Sequence, residues 1–314
     1  MTETTEAQQS SAPQAQSKWL SKSASETRGS DKDEVQFHYD ISNDFFKLWQ
    51  DPTQTYSCAY FERDDFTLEQ AQRAKVDLSL SKLGLQPGMT LLDIGCGWGS
   101  TIARAVEKYD VNVIGLTLSE NQKQHIEDNQ FPRLKSDRKM EVRLQPWEEF
   151  EGRVDRIVSI GAFEHFGFNK YDDYFKKTFS WLPDDGVMML HTIIIPEDEE
   201  IKAKGLPLTM SRVRFIKFIM DEIYPGGRLP LASMVREHAN KAGYTVTREQ
   251  HLQPHYVKTL DTWAANLEAK KDEAIAITSE QIYERFRKYL TGCADLFRQG
   301  YTDVAQFTCE KAPA

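Results

Sequence analysis

Short apolar runs alternate with amphipathic stretches along most of the chain. After a helical pattern in the first quarter, five runs of four to seven residues predict strands. They lie at residues 90–94, 111–117, 141–144, 155–160 and 187–193. Helices are expected between these strands, for example at 100–109. This alternation predicts an α/β fold with a doubly wound sheet and right-handed crossovers. Two later runs, 244–247 and 304–310, complete a predicted mostly parallel sheet of seven strands.

The first 32 residues differ in composition from the rest. They are rich in Ser, Thr, Gln, Ala and charged residues, and they carry too little apolar surface to offset the entropy of ordering the chain. We therefore predict a disordered N-terminal tail at 1–32 and a single domain at 33–314. Within that domain, residues 33–85 are expected to form a helical cap, whose last helix begins at Thr67 with a capping box closed by Gln70.

A second insertion is expected at 194–240, between the fifth strand and the edge strands. Its centre, residues 211–223, reads SRVRFIKFIMDEI and is apolar around most of a helix. One interpretation is a helix buried between its neighbours, which is the usual place for such a helix. The other interpretation is a lid that lines an apolar channel.

Composition disfavours several classes of function. A net charge of −9 argues against nucleic-acid binding as the main role, although it permits a local basic patch. The four cysteines are scattered without a CxxC pair, so we predict no disulfide framework and no metal site, and we expect a reducing cytoplasm. No apolar run reaches the roughly 18 residues of a membrane-spanning helix, so any contact with a membrane is expected to be transient.

A glycine-rich turn follows the first predicted strand and opens the next helix. Residues 91–99 read LLDIGCGWG, so the third glycine comes one residue earlier than in the GxGxxG pattern of dinucleotide-binding folds. Bare backbone at such a turn lets a ligand approach the carboxyl edge of the sheet. The turn resembles the first motif of S-adenosylmethionine-dependent methyltransferases, and the alternative is a purely structural turn. The resemblance predicts cofactor contacts at Asp93, Gly95, Cys96, Gly97, Trp98 and Gly99.

The end of the second strand departs from the methyltransferase pattern. Methyltransferases usually carry an acid there that binds the ribose, whereas this chain has Thr117 and Leu118. We predict that both contact the cofactor and that Gln122, in the following helix, replaces the missing acid. After the third strand, Trp147 and Glu148 offer an aromatic face and an acceptor for adenine.

Longer motifs narrow the resemblance. They are DPTQTYSCAYF at 51–61, GLTLS at 115–119, GAFEHFG at 161–167, PGGRLP at 225–230, PHY at 254–256 and YLTGC at 289–293. With these motifs the chain is similar to the cyclopropane fatty acid synthase family, and more narrowly to its mycolic acid cyclopropane synthase branch, over residues 35–314. The resemblance implies a methyltransferase fold with an acyl-binding lid. It also implies an enzyme that transfers a methylene from S-adenosylmethionine to a double bond of a long mycolic-type acyl chain.

The implied chemistry passes through a carbocation on the acyl chain, so the site must exclude water and offer aromatic faces. Tyr39 and the aromatic residues of 56–61 are candidates for this role. Tyr56 and Ser57, in the same segment, are predicted cofactor contacts.

The resemblance also implies a base. The family uses bound bicarbonate to remove the last proton, and its ligands match Glu164, His191 and Tyr256, with backbone at Cys58. Each side chain also has a purely structural interpretation, as a helix start, a core histidine or a core aromatic. Cys293 is a further candidate, as a nucleophile, although direct methyl transfer to an alkene needs no covalent enzyme intermediate.

The expected product and partner follow from two further features. Relatives that make hydroxylated products tend to carry an acid at the position of Gly161, so glycine favours ring closure. The alternatives are a related mycolic acid methyltransferase with a hydroxylated or branched product, a methyltransferase for another acceptor, and a silent acyl-binding module. The substrate is expected on an acidic acyl carrier protein. Arg212, Arg214 and Lys217 are either its docking edge or a solvated charged face.

Overall fold

The structure, a computed structural model, describes residues 29–30 and 41–311. A seven-stranded sheet forms its centre, with strand order β3-β2-β1-β4-β5-β7-β6. Strands β1 to β5 are parallel, whereas β7 runs antiparallel to both β5 and β6. The strands are β1 Thr90–Ile94, β2 Asn112–Thr117, β3 Met140–Leu144, β4 Arg156–Ile160, β5 Val187–Ile194, β6 Tyr244–His251 and β7 Asp303–Lys311. The predicted fold class is confirmed.

Helices precede the first strand and connect most of the later ones. They are α1 Asn43–Trp49, α2 Leu68–Ser81, α3 Ser100–Tyr109, α4 Glu120–His125, α5 Tyr171–Trp181, α6 Asp198–Ala203, α7 Met210–Phe218, α8 Ala232–Ala242, α9 Gln253–Ala269, α10 Lys271–Ile277 and α11 Glu280–Gln299. Helices α4 and α7 continue into π-helical turns at Ile126–Gln130 and Ile219–Ile223. Short 3₁₀ turns lie at Phe131–Arg133, Trp147–Glu149, Phe163–His165 and Phe168–Lys170.

An aromatic core holds the N-terminal segment and the C-terminal helices against the glycine turn. The ring of Phe46 lies 5.3 Å from that of Trp98, in the turn, and 5.9 Å from that of Phe286, in α11. The indole nitrogen of Trp98 donates to Asn43 Oδ1 at 2.9 Å. Trp49 packs edge-on against Trp263 of α9. These contacts join segments that are far apart in sequence. They therefore fix the positions of α1, α9 and α11 relative to the glycine turn.

Helix α2 shows its capping box and an unusual buried face. Thr67 accepts from the backbone of Gln70, whose side chain accepts from Thr67, as predicted. Gln72, Lys75 and Ser79 are buried on the inner side of the helix. Buried polar groups need partners, and here they bind the loop that precedes the helix and strand β7.

Most predicted strands agree with the structure to within one residue at each end, and two predicted segments differ more. Strand β6 continues beyond 247 to His251, because pairing with β7 across a bulge between Val246 and Arg248 holds a polar stretch in the sheet. The segment 211–223 is not one uniform buried helix. Only Phe218 and Ile223 are buried within it, while Ile216, Ile219 and Met220 line a cavity.

Candidate active site

The glycine turn after β1 adopts left-handed backbone conformations. Gly95 has φ +84° and Gly97 has φ +54°. A Cβ on Gly95 would lie 2.4 Å from Cβ of Ala162, whereas a Cβ on Gly97 would enter open space. The first glycine therefore permits close packing, and the second exposes bare backbone to the adjacent pocket.

A pocket of about 770 Å³ lies at the carboxyl ends of β1, β2 and β4. The predicted cofactor residues line it, with one difference. Gly99 does not line the pocket. It is the N-cap of α3, and a Cβ there would lie 2.8 Å from the side chain of Ile126, so this glycine serves packing. The predicted residues in the lining are Tyr56, Ser57, Asp93, Gly95, Cys96, Gly97, Trp98, Thr117, Leu118, Gln122, Trp147 and Glu148.

Asp93, at the end of β1, is the buried acid of this pocket. Its Oδ1 atom has no hydrogen-bond partner among the described residues. Burial raises the pKa of Asp93 to about 7, and the charge of Lys75 opposes that rise. A cationic ligand group would supply the missing donor and favour the carboxylate.

Lys75 was not predicted from the sequence. Its side chain is fully buried, lines the pocket and donates to Ser57 Oγ at 2.7 Å. Burial lowers the pKa of Lys75 to about 8. The sequence did contain an indication of this role. Lys75 lies one helical turn from both Ala71 and Ser79, on the buried face of α2, and lysine is rare at a buried position unless its ammonium group has a partner.

The far side of the pocket has polar groups with defined partners. Thr117 Oγ1 donates to Gln122 Oε1 at 2.7 Å, which leaves the amide nitrogen of Gln122 as its available donor. Trp147 is buried and packs edge-on against Tyr174. Glu148 accepts from Lys170 Nζ at 2.6 Å, so its carboxylate is already paired.

A second, smaller cavity of about 180 Å³ adjoins the first. Its lining includes Glu164, His191 and Tyr256, which the sequence predicted to act together, as well as Cys58 and Cys293. Most of the remaining wall is apolar. Four residues line both cavities and therefore mark their junction: Tyr56, Ser57, Gly161 and His165.

Glu164 lies in the 3₁₀ turn that follows β4. Its Oε1 atom accepts from the backbone N–H of Ile193 at 2.7 Å, while Oε2 has no partner among the described residues. Burial raises the pKa of Glu164 to about 7. The carboxyl group is therefore poised between its two protonation states near neutral pH.

His191 and Tyr256 complete the polar part of this wall. His191 is buried in β5, and burial, with the charges of Lys75 and Lys82, holds its pKa well below the ordinary value. The imidazole is therefore neutral at pH 7. The ring of Tyr256 packs 4.7 Å from that of Phe297, and burial raises the pKa of its hydroxyl well above the ordinary value. Both are neutral hydrogen-bonding groups.

The remaining predicted catalytic residues have different surroundings. Burial strongly raises the pKa of the thiols of Cys58 and Cys293, so both are protonated at neutral pH. A protonated thiol is a poor nucleophile, which argues against that role for Cys293. Tyr39 lies outside the described residues.

Three tyrosine hydroxyls meet at the junction, two of them on residues that were not predicted as site residues. Tyr224 Oη lies 3.0 Å from that of Tyr56 and 2.9 Å from that of Tyr289, and the latter two are 3.2 Å apart. The three rings come from different parts of the chain. Only their packing in the fold brings them together.

Comparison with known proteins identifies the family. The profile of the family described as "Mycolic acid cyclopropane synthetase" matches residues 26–307. The chain belongs to this family. It is 62% identical over 279 residues to cyclopropane mycolic acid synthase 1 of Mycobacterium tuberculosis, an alignment that covers 88% of this chain and 96% of that protein. As a member of this family, the chain is an S-adenosylmethionine-dependent methyltransferase.

Solved structures agree with that assignment. The cyclopropane synthase MmaA2 from Mycobacterium tuberculosis superposes with a TM-score of 0.88 at 58% identity, covering 90% of this chain and 99% of that one. The mycolic acid cyclopropane synthase CmaA1, in a complex with SAH and CTAB, has a TM-score of 0.87 at 60% identity, with the same coverage.

The described residues form neither a membrane-spanning helix nor a cluster of metal ligands. None of the helices at 41–311 is long and apolar enough to cross a membrane. In the same part of the chain, no group of three or more His, Cys, Asp or Glu side chains is arranged to hold a metal ion.

Proposed function

We propose that this family member adds a methylene to a double bond of a long mycolic-type acyl chain, and that bicarbonate held by Glu164, His191 and Tyr256 serves as the base. One observation supports this proposal above the others. The pocket built around the glycine turn shares Tyr56 and Gly161 with a mostly apolar cavity whose lining includes those three side chains. A methyl donor in the first space would face an acyl chain in the second.

The larger pocket fits S-adenosylmethionine. The unpartnered oxygen of Asp93 suits an ammonium group, the open backbone at Gly97 permits close approach, and Gln122 and Trp147 suit ribose and adenine. When bound, the cofactor supplies the methyl group, whose transfer to an alkene leaves a carbocation that loses a proton as the ring closes. Lys75 holds Ser57, and with it the loop between the two spaces, in place.

The smaller cavity suits a cationic intermediate. Ile216, Ile219 and Met220 line one side and exclude water, while Tyr56, Tyr224 and Tyr289 contribute electron-rich rings. Aromatic faces stabilise a cation by roughly 2 kcal/mol or more in a desolvated site.

The polar groups of the cavity fit a small oxyanion. Glu164 Oε2 lacks a partner in the part of the chain that the structure describes, and the pKa of about 7 permits this carboxyl to be protonated and to donate. Neutral His191 and the hydroxyl of Tyr256 each add a donor. Bicarbonate, when bound there, supplies a base beside the reacting carbons.

The decisive test is product analysis by mass spectrometry. The enzyme is incubated with S-adenosylmethionine and an unsaturated acyl substrate, and a gain of CH₂ with loss of the alkene is expected. Glu164→Gln should bind SAH with unchanged affinity but lose ring formation at least about a hundredfold. The matched control Glu62→Gln, at an exposed position, should behave like the wild type.

Other outcomes would contradict the proposal in different ways. A product that also gains oxygen would indicate capture of the cation by water, as in hydroxylating relatives. A methylated polar acceptor would indicate another methyltransferase, and binding without turnover would indicate a silent module. Full ring formation by Glu164→Gln would remove this residue from the mechanism.

The acyl lid is a further part of the proposal. We propose that 194–240 covers the acyl cavity and that residues 41–85, which are the described part of the segment predicted at 33–85, form the cap. The close approach of Phe215, in α7, to Gly292, in α11, supports a lid contact, since a Cβ on Gly292 would lie 2.2 Å from the phenyl ring. Gly292→Val should displace Phe215 and change KM for the acyl substrate at constant SAH affinity. An unchanged KM would contradict the lid.

We propose an acyl carrier protein as the donor of the acyl chain, in a reducing cytoplasm that is compatible with the four free thiols. Two of the three predicted docking residues have partners within the chain. Arg212 stacks on Tyr301, and Lys217 bonds Asp221. Arg214 is exposed and is the residue to test. Arg214→Glu should raise KM for a carrier-bound substrate and leave KM for the same free acyl chain unchanged, and equal effects on both would contradict docking there.

A further inference from the structure

A buried glutamine on β7 contacts the candidate catalytic histidine from behind the cavity wall. Gln306 is fully buried, and its Nε2 lies 3.2 Å from His191 Nδ1. Gln306 does not line either cavity, whereas His191 does. The contact therefore engages one ring nitrogen from the protein side and leaves Nε2 as the nitrogen available to a ligand.

We infer that Gln306, held by Ser79 and Lys82, is a positioning residue that keeps His191 in the tautomer with its proton on Nε2. His191 then presents an N–H group to the acyl cavity. A ligand at this position must accept a hydrogen bond, as an oxyanion does, and a ligand that can only donate is disfavoured. The catalytic part of this inference rests on the proposed function, while the tautomer itself does not.

Ser79 determines which way the amide of Gln306 points. Ser79 Oγ lies 2.8 Å from the backbone carbonyl of Lys75, which can only accept, so the hydroxyl proton is committed to that carbonyl. The lone pairs of Ser79 Oγ then face Gln306 Nε2 at 3.0 Å. The group of Gln306 at this position must donate, and it is therefore the NH₂.

The contact with Lys82 indicates the same orientation of the Gln306 amide, because it involves the other end of that group. Its Nζ bonds Gln306 Oε1, and an ammonium donates only. Burial and the charge of Arg248 lower the pKa of Lys82 to about 7, so the ammonium form is partly populated at neutral pH. The constraint from Ser79 involves no titration and holds on either side of that pH.

With its NH₂ directed at His191, Gln306 requires Nδ1 to accept. A neutral imidazole has one protonated nitrogen, so an accepting Nδ1 places the proton on Nε2. A tautomer that is selected by a partner on the other ring nitrogen is a common way to orient a working histidine. Here the partner is neutral, so it selects the tautomer without favouring imidazolium.

The test is ¹⁵N NMR of the cofactor-free protein labelled at histidine, because protonated and unprotonated ring nitrogens have distinct chemical shifts. The His191 signals among the seven histidines are assigned by their loss in His191→Gln. We expect a protonated Nε2 and an unprotonated Nδ1 in the wild type at pH 7. The opposite tautomer, or an imidazolium, would overturn the inference.

Gln306→Glu sharpens the test, because the shape is retained and only the donor is lost. The carboxylate is able to pair with Lys82 and to accept from Nδ1, so the His191 tautomer should reverse. Gln306→Met removes both functions and should yield a mixture of tautomers, which is a second readout if the Glu variant folds poorly. The control Gln70→Glu makes the same change at an exposed position, and it retains an acceptor for the capping box. It should leave His191 unchanged, and an unaltered His191 in both Gln306 variants would refute the role of Gln306.

Activity separates this inference from the proposed function. Gln306→Glu should lower kcat for ring formation roughly tenfold or more, as outer partners of working histidines do, with SAH affinity unchanged. A reversed tautomer with full kcat would refute the need for a donor at His191. If Glu164→Gln remains active while the wild type shows the expected tautomer, the bicarbonate proposal fails and the assignment of the tautomer stands.

Discussion

The cofactor pocket and the acyl cavity adjoin each other but are built in different ways. The pocket depends on the backbone of one continuous turn and on strand ends that lie side by side in a parallel sheet. The cavity is lined mainly by side chains, which come from segments between Tyr56 and Thr302. Among the described residues, each space contains a buried carboxylate oxygen without a hydrogen-bond partner, Asp93 Oδ1 in the pocket and Glu164 Oε2 in the cavity. Most of the remaining lining of the cavity is apolar.

This difference indicates how each space tolerates change. A site formed by backbone groups loses ligand binding where a new side chain enters it, and it tolerates most other substitutions. A site made of side chains is sensitive to their polarity and to the helices that carry them. If the two spaces are independent, a substitution in one should leave ligand binding in the other unchanged.

The largest effect is expected from Gly97→Val. The new side chain would occupy the open space beside the bare backbone, in a left-handed conformation that a β-branched residue adopts poorly. SAH affinity, measured by calorimetry, should fall at least about a hundredfold, or roughly 2.7 kcal/mol. Gly84→Val is the control, because Gly84 has φ +58° and also faces open space, away from the pocket. Equal losses in both variants would show that backbone strain, and not a blocked pocket, is responsible.

The second prediction concerns stability and pH in the cofactor-free enzyme. The pKa of Glu164 rises from 4.5 to about 7 on folding because of burial, so the native state binds more protons than the unfolded state between these values. Its contribution to stability is therefore lost as the pH rises through that window. Glu164→Gln removes the penalty, and its free energy of unfolding relative to wild type should increase by about 2.5 kcal/mol between pH 5 and pH 8. Urea unfolding measures this, and a constant difference would contradict the raised pKa.

A charged side chain in the acyl cavity should impair turnover of the acyl substrate and leave cofactor binding unchanged. Met220→Lys places an ammonium on the apolar wall, where it would repel a cationic intermediate and attract water. We expect kcat/KM for the acyl substrate to fall roughly tenfold or more, about 1.4 kcal/mol, with SAH affinity within twofold of wild type. Met210→Lys, at a position that is 66% exposed near the start of the same helix, should have little effect. A parallel loss of SAH affinity would show that the two spaces are coupled.

The smallest effect is expected from a change at Lys75, a residue of α2 that bonds Ser57 in the loop between the two spaces. Lys75→Met retains the volume but removes the charge that opposes the raised pKa of Asp93. The pKa of Asp93 should rise further, so the pH midpoint above which SAH binds should move upward. At pH 7 the affinity should fall by less than tenfold. A titration of SAH binding from pH 5 to pH 9 checks the shift, with the exposed Lys47→Met as the control. A downward shift would contradict the electrostatic role of Lys75.

The sequence by itself determined the alternation of strands and helices, the glycine turn and the position of Asp93, because these depend on short-range patterns and on the backbone rules of parallel sheets. It also led to Glu164, His191 and Tyr256 through motifs of the family. These three residues lie 27 and 65 positions apart along the chain, and no local pattern indicates that they share one cavity.

Only the tertiary structure decided which side chains line that cavity and which support it. Gly99 packs closely against Ile126, and Lys75 lines the pocket because α2 turns its inner face toward Ser57. Gln306 reaches His191 only because β7 inserts beside β5 in the antiparallel direction. Such relations arise from packing between distant segments, whose geometry depends on the whole fold and leaves no periodic trace in the sequence.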